Sequence, residues 1–203
     1  MIGEGQNKTL TLGGFEEISS EGMQSGSTVF LAVVRLALLF AAGLLTGAIF
    51  AVWLMEDAFR GGGSFYTDLK QLQISSLTVP LSSVGAATVA LGLIHLFLMR
   101  ANRLAASLTL TGVLCFVVGI AITVWVHFPI NAQIMGWSAE APPQGWAQLA
   151  ANWRRAHDLR TLFGVLGFCL LLASAVLPAK GRSSVMKTAG RESVEGHESK
   201  SNH

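Results

Sequence analysis

The stretch ANWRRAHDLRTLFGVLGFCLLLASAVL, residues 151–177, joins a segment rich in charged and aromatic residues to an apolar run that contains no charge. An α-helix rises about 1.5 Å per residue, so roughly 20 mainly apolar residues cross the hydrocarbon core of a bilayer. Residues 161–178 have this character. The stretch therefore predicts a membrane-spanning helix, preceded by a helical extension that carries Trp153, His157 and Arg160.

Three earlier segments have the same apolar character: residues 27–55, 77–99 and 104–128. Of the 203 residues, 51% are hydrophobic and 13% are charged, and the mean hydropathy is +0.52. Soluble domains contain about 25% charged residues. Small residues such as Gly43 and Gly47, four apart, allow helices to approach closely within a membrane. The sequence therefore predicts an all-α fold, an integral membrane four-helix bundle with a helical extension before the fourth span.

The polar ends of the chain frame this transmembrane domain, which we place at residues 28–179. Residues 1–27 and 180–203 are polar, and we expect both tails to be disordered. Four spans put both tails and the basic link RANR, residues 100–103, on one side. Lys and Arg near the helix ends favour the cytoplasm for that side. We expect a multi-pass protein of the bacterial inner membrane or an endomembrane, with both tails cytoplasmic.

Antiparallel threading brings the end of the first helix, the end of the third and the start of the fourth to one end of the bundle. The unusual residues of the chain lie at these helix ends: Glu56, Asp57, His127, Asn131, Trp146, Trp153, His157 and Arg160. His127 lies near the bilayer boundary, where an unpaired imidazole is costly and needs a partner. The topology therefore predicts one site built from residues that are far apart in sequence.

The segment before the fourth span has two kinds of face. Trp146, Trp153, His157 and Arg160 recur at steps of three, four or seven residues and share one face of a helix. The other charged residues lie on other faces, where we expect them to be solvated or in contact with lipid headgroups: Arg154, Arg155 and Asp158. The first helix is likewise expected to end in solvated carboxylates at Glu56 and Asp57.

Two motifs resemble a known family. HFPINAQIMGW, residues 127–137, followed by WAQLAANWRRAHDLRTLFGVLGF, residues 146–168, resembles the closing part of the DUF1772 family, which includes anthrone oxygenase-like proteins. In that family P-x-N follows the third helix and W-x-x-x-H-x-x-R enters the fourth. The matching residues here are Pro129, Asn131, Trp153, His157 and Arg160. The resemblance extends over residues 30–178 but departs at LMEDAFRGGG, residues 54–63, where an apolar-Pro ending is expected.

This resemblance implies an oxidoreductase that converts a lipophilic anthrone of polyketide pathways to an anthraquinone with molecular oxygen, without metal or flavin. His157 or His127 would be the general base, because imidazole exchanges protons near neutral pH. Arg160 or Asn131 would stabilise the enolate oxygen. The expected substrate-binding residues, with the two indoles stacking on the flat rings, are Trp153, Trp146 and Glu56.

Two other readings of the same residues remain open. His127 and His157 on facing helices could bind haem or a metal ion. Alternatively, the polar cluster could close the end of a non-catalytic packing or assembly subunit. The expected partners are the bilayer and a small lipophilic aromatic molecule, with homo-oligomerisation left open. The net charge of +2 argues against nucleic acid. His95 lies toward the other end of the bundle, outside the predicted site.

Overall fold

The computed structural model describes residues 13–58 and 63–178, with side chains for residues 26–56 and 63–178. All regular structure in these residues is helical, and five α-helices occur in the order α1 (Gly13–Ala58), α2 (Gly63–Met99), α3 (Arg103–Ile122), α4 (Phe128–Met135) and α5 (Trp146–Ala175). A π-helical turn, Thr123–His127, joins α3 to α4 without a break. The all-α prediction is confirmed.

Four helical units are long and apolar enough to cross a membrane: Gly26–Glu56, Gly63–Met99, Arg103–Met135 and Trp146–Ala175. Their outward faces carry large apolar side chains, such as Leu36, Phe40 and Trp125, which are 70%, 73% and 77% exposed. Soluble monomers rarely expose a continuous apolar surface of this kind. The fold therefore fits a multi-pass membrane protein.

The helices α1 and α2 are longer than the apolar segments from which the sequence predicts them. α1 begins at Gly13, inside the stretch for which the sequence predicts a disordered tail, and α2 begins at Gly63 rather than near residue 77. Neither extension contains proline, so a helix nucleated in the apolar span can propagate into the polar residues. Residues 1–12 and the predicted disordered tail at residues 180–203 lie outside the described residues.

Glycines bring α3 and α5 into close contact. A Cβ atom on Gly112 would lie 3.1 Å from the carbonyl oxygen of Gly167, and one on Gly167 would lie 3.0 Å from that of Gly112. α2 and α3 also approach closely, because a Cβ on Gly92 would lie 2.4 Å from a methyl group of Val113. Small residues thus allow the close backbone approach that membrane helices use for association.

A hydrogen-bond network closes the end of the bundle that contains His95. Arg35 Nε donates to His95 Nε2 at 3.4 Å, and His95 Nδ1 lies 3.2 Å from Thr109 Oγ1. Thr109 Oγ1 in turn lies 2.7 Å from Ser174 Oγ. These contacts connect α1, α2, α3 and α5. Both ring nitrogens of His95 are partnered, which supports a structural role for this residue.

Candidate functional site

A cavity of about 260 Å³ opens inside the bundle on the side of the π-helical turn. Its walls come from α1, α2, α3, the π-helical turn, α4 and α5. The polar side chains that gather at one end of the lining are Gln73, Thr123, His127, Asn131 and Arg160. The remainder is mainly apolar and includes Leu45, Leu81, Phe116 and Ile120. The cavity is therefore a mainly apolar space with one polar end, which is the usual composition of a small-molecule site.

The structure brings the imidazoles of the third and fourth spans together. The ring centroids of His127 and His157 are 6.0 Å apart, and the Trp153 ring lies 4.7 Å from the first and 4.9 Å from the second. His127 is the last residue of the π-helical turn, a feature frequently found at functional sites. The prediction that antiparallel threading gathers these residues is confirmed.

His127 is the only imidazole of the two that faces the cavity with free nitrogens. Its side chain is 1% exposed and lines the cavity, and neither Nδ1 nor Nε2 has a hydrogen-bond partner among the described residues. The sequence predicts that an imidazole near the bilayer boundary needs a hydrogen-bond partner, and no described residue supplies one for His127. A buried unpaired polar group costs about 1–3 kcal/mol, so a ligand that pairs with it gains that energy.

His157 uses both ring nitrogens within the protein. Arg160 Nη2 lies 2.8 Å from His157 Nδ1, and His157 Nε2 lies 3.1 Å from the carbonyl oxygen of Ile49. A guanidinium can only donate, so Nδ1 accepts and Nε2 must carry the proton that is donated to the carbonyl. His157 is thus held as one neutral tautomer and is not part of the cavity lining. This geometry fits a residue that positions Arg160.

Arg160 places a cation at the polar end of the cavity. Besides its bond to His157, its Nη1 donates to Thr123 Oγ1 at 3.3 Å, while Nε is buried and unpartnered. Within the described part of the chain, no carboxylate forms an ion pair with this guanidinium. A half-buried cation without a counter-ion among the described residues favours an anionic ligand.

Two amide side chains are oriented toward the cavity by donors behind them. Trp153 Nε1 donates to Asn131 Oδ1 at 2.9 Å, and Lys70 Nζ donates to Gln73 Oε1 at 2.9 Å. Indole N–H and ammonium groups have no acceptor capacity at these atoms, so each must face the amide oxygen. The NH₂ groups of Asn131 and Gln73 are then left as donors. The polar end thus offers several N–H donors and one free imidazole.

Lys70 is a site residue that the sequence analysis missed. Its side chain is 2% exposed, forms an ion pair with Glu56, and lies 3.1 Å from the centroid of the Trp153 ring. The prediction of a solvated Glu56 was wrong, because α2 extends far enough to bring Lys70 against the end of α1. Glu56 does not line the cavity. A buried Lys side chain is almost always paired with an opposite charge. The ion pair with Glu56 therefore holds the Lys70 ammonium group against the Trp153 ring.

The remaining predicted residues lie around the cavity rather than in it. Trp146 packs on Tyr66, with ring centroids 5.5 Å apart, and does not line the cavity. Arg154 donates to the carbonyl of Glu56, and Asp158 accepts a hydrogen bond from Trp53 at 3.0 Å. Asp158 is exposed, as the sequence predicts, and Arg154 is half-buried. Both connect α5 to α1.

The two-histidine arrangement can be compared with a haem or metal site. Among the described residues, no group of three His, Cys, Asp or Glu side chains could hold a metal ion. Both nitrogens of His157 are already engaged, so bis-histidine ligation would require its bonds to Arg160 and Ile49 to break. Ligation of one iron by both imidazoles therefore does not fit the hydrogen bonds that the structure shows.

Comparison with known proteins gives one positive result, a match between residues 72–170 and the family model described as anthrone oxygenase. No curated protein and no solved structure matches the chain. The matched region contains Gln73, His127, Asn131, Trp153 and Arg160. It agrees with the resemblance seen in the two sequence motifs. Residues 72–170, which supply the polar end of the cavity, are therefore similar to the anthrone oxygenase family.

Proposed function

We propose that this protein is a membrane oxygenase that converts a lipophilic anthrone to the corresponding anthraquinone with molecular oxygen. The observation that carries the proposal is the buried, unpartnered imidazole of His127, which lines an otherwise apolar cavity beside the cation Arg160. The family match of residues 72–170 supports the same reaction class.

The first step is proton abstraction. The CH₂ group of an anthrone lies between two aromatic rings and is conjugated with the carbonyl, so it is acidic for a carbon acid. His127, with a free nitrogen, takes the proton and becomes imidazolium. A positioned general base contributes roughly 10²- to 10⁴-fold in rate. The product is an enolate whose charge is shared between the carbon and the carbonyl oxygen.

The groups at the polar end stabilise this charge. Arg160 and the amide NH₂ groups of Asn131 and Gln73 donate toward the enolate oxygen, in a site where little water weakens the interaction. Each of these donors is held before substrate binds by a hydrogen bond to a neighbouring side chain. The pairs are Arg160 with His157, Asn131 with Trp153 and Gln73 with Lys70. Preorganised donors of this kind need no rearrangement as charge develops.

Oxygen then reacts with the electron-rich carbon. One electron passes from the carbanion to O₂, and the carbon radical and superoxide combine to form a C–O bond. The resulting peroxide anion takes back the proton held by His127. Cleavage of the O–O bond, with loss of the remaining hydrogen on that carbon, releases water and leaves the second carbonyl. One anthrone and one O₂ thus give one anthraquinone and one water.

The test is turnover by the protein purified into lipid nanodiscs. Anthrone is added, and oxygen consumption and quinone absorbance are followed together, with empty nanodiscs giving the uncatalysed rate. We expect one O₂ per quinone, and loss of at least about 100-fold of the catalysed rate in His127→Phe. Trp125→Phe is the matched control, since Trp125 lies on the same π-helical turn and faces outward.

Two results would contradict the proposal. The first is a catalysed rate in His127→Phe equal to that of the parent protein. The second is an absorbance band near the haem Soret maximum in the purified protein, with iron present in stoichiometric amount, which would favour the haem reading of the same bundle.

A further inference from the structure

The cavity has a window in the outer surface of the bundle. Five of its lining residues are exposed, and they lie on two facing units: Ser82 and Ala86 on α2, and Ile120, Val124 and Phe128 on α3, the π-helical turn and α4. The other lining residues are buried or half-buried. The gap between the second and third spans is therefore where the cavity reaches the surface.

Defined contacts close this gap at both ends. On one side Gly92 packs directly on Val113. On the other side Gln71 Nε2 donates to the carbonyl oxygens of Ile134 and Trp137, at 2.9 Å and 3.0 Å. The same number of residues separates Gly92 from Gln71 as separates Val113 from Ile134, so the antiparallel register is kept between the two contacts. All five exposed lining residues fall between them.

The window lies toward one end of the apolar segments that predict the second and third spans. Ser82 is five residues from the start of residues 77–99, and Ile120 is eight residues from the end of residues 104–128. Pro80 lies inside α2 beside the window. Proline has no N–H and its ring clashes with the preceding turn, so it is a common position for a helix to bend. The part of the opening beside Ser82 and Ile120 therefore lies roughly 8–12 Å inside the apolar segments, at the depth of lipid acyl chains.

We propose that the substrate enters this cavity sideways from the bilayer, through the window between α2 and the third span. This inference rests on the proposed function for the identity of the ligand. Its class follows from the lining. The ligand is flat, mainly apolar and uncharged while in the lipid, and it carries a carbonyl or hydroxyl oxygen at one end.

The lining beside the α2 edge of the window is apolar. Ser82 adjoins Leu81, which packs against the core cluster that contains Phe116. The polar groups at Arg160 and His127 lie at the end of the cavity nearest the π-helical turn. A neutral molecule can therefore leave the hydrocarbon without exposing a charge, and ionise only where Arg160 can stabilise the anion.

The test uses binding rather than turnover, so that it is independent of catalysis. A hydroxyanthraquinone, which cannot be oxidised by the proposed reaction, is mixed with protein in nanodiscs, and its absorbance and fluorescence are followed by stopped flow. Ser82→Trp and Ala86→Trp place a large side chain in the window. Ser83→Trp and Ala87→Trp are the matched controls, because these exposed neighbours do not line the cavity.

An obstructed route slows entry and exit by the same factor, and so leaves the equilibrium constant unchanged. We expect Ser82→Trp and Ala86→Trp to lower both rate constants by about 10-fold or more, within the range over which association rates vary among related complexes. The controls should keep the parent rates. Ser82→Leu and Ala86→Leu provide smaller obstructions, for use if either Trp variant loses thermal stability.

Equal rates in the window variants and their controls would overturn lateral entry, as would failure of the parent protein to bind the hydroxyanthraquinone. If the binding rates follow the expected pattern while anthrone is not oxidised, lateral entry through the window is supported and the proposed oxygenase reaction is contradicted.

Discussion

His127 and His157 have ring centroids 6.0 Å apart, yet their hydrogen bonding is opposite. His157 is partnered at both nitrogens, whereas His127 has no partner among the described residues. We therefore propose that His127 is the imidazole that meets the ligand and that His157 acts on the site through Arg160. At the residue scale, hydrogen-bond satisfaction separates a positioning role from a reactive one.

Replacement of the two histidines by phenylalanine should have opposite effects on stability. His157→Phe leaves the carbonyl of Ile49 and one side of Arg160 unpaired, and should cost about 1–3 kcal/mol in the free energy of unfolding. His127→Phe removes an unpaired polar group, and should leave the unfolding temperature unchanged or raise it. Thermal unfolding in nanodiscs measures both. Equal losses in the two variants would contradict this assignment.

The pair formed by Lys70 and Glu56 should behave as one unit. Lys70→Met leaves a buried carboxylate without its cation, and should cost about 3 kcal/mol or more, as should Glu56→Leu. The double variant should cost less than the sum of the two, because neither charge is then left alone. Chemical unfolding of the four proteins completes the cycle. Additive losses would show that the two residues are independent.

Sequence patterns predicted part of this site. The spacing of Trp153, His157 and Arg160 predicted that they lie close together, because residues three or four apart share one face of a helix. Lys70 was missed because α2 begins at Gly63, in polar residues that lie outside the apolar segment 77–99. The hydrogen-bond state of the two histidines depends on the position of the Ile49 carbonyl, which no local pattern encodes.

At the scale of the elements, the π-helical turn and the glycine contacts set the shape of the cavity. The turn Thr123–His127 places Thr123 and His127 in the lining, and no residue in TVWVH distinguishes it from an ordinary helix. The apolar spans themselves were readily predicted, since length and hydropathy determine them. Helix ends were not, because helices continue into polar residues without a compositional boundary.

The contact between α3 and α5 should tolerate no added methyl group. Gly167→Ala places a Cβ 3.0 Å from the Gly112 carbonyl oxygen and from Cys115 Cβ, so the helices must separate. We expect a loss of about 1–3 kcal/mol in the free energy of unfolding. Gly47→Ala is the matched control, since a Cβ there meets no atom within 4 Å. Similar stability of the two variants would contradict the close packing.

On the scale of the whole molecule, four apolar helices gather residues from both halves of the chain around one cavity. We propose that all four helical units cross the bilayer, which would put the two tails on one side, and that this side is the cytoplasm. Reporter fusions at the N-terminus and at the C-terminus should both be active in the cytoplasm and inaccessible to an external protease. Opposite sidedness of the two reporters would contradict four crossings.

The most direct measurement is an experimental structure of the protein in nanodiscs with a bound hydroxyanthraquinone. We expect the ligand to occupy the cavity, with an oxygen within hydrogen-bond distance of Arg160 and its rings in contact with the imidazole of His127. Ligand density elsewhere on the protein, or a His127 whose nitrogens are both bonded to other side chains, would contradict it.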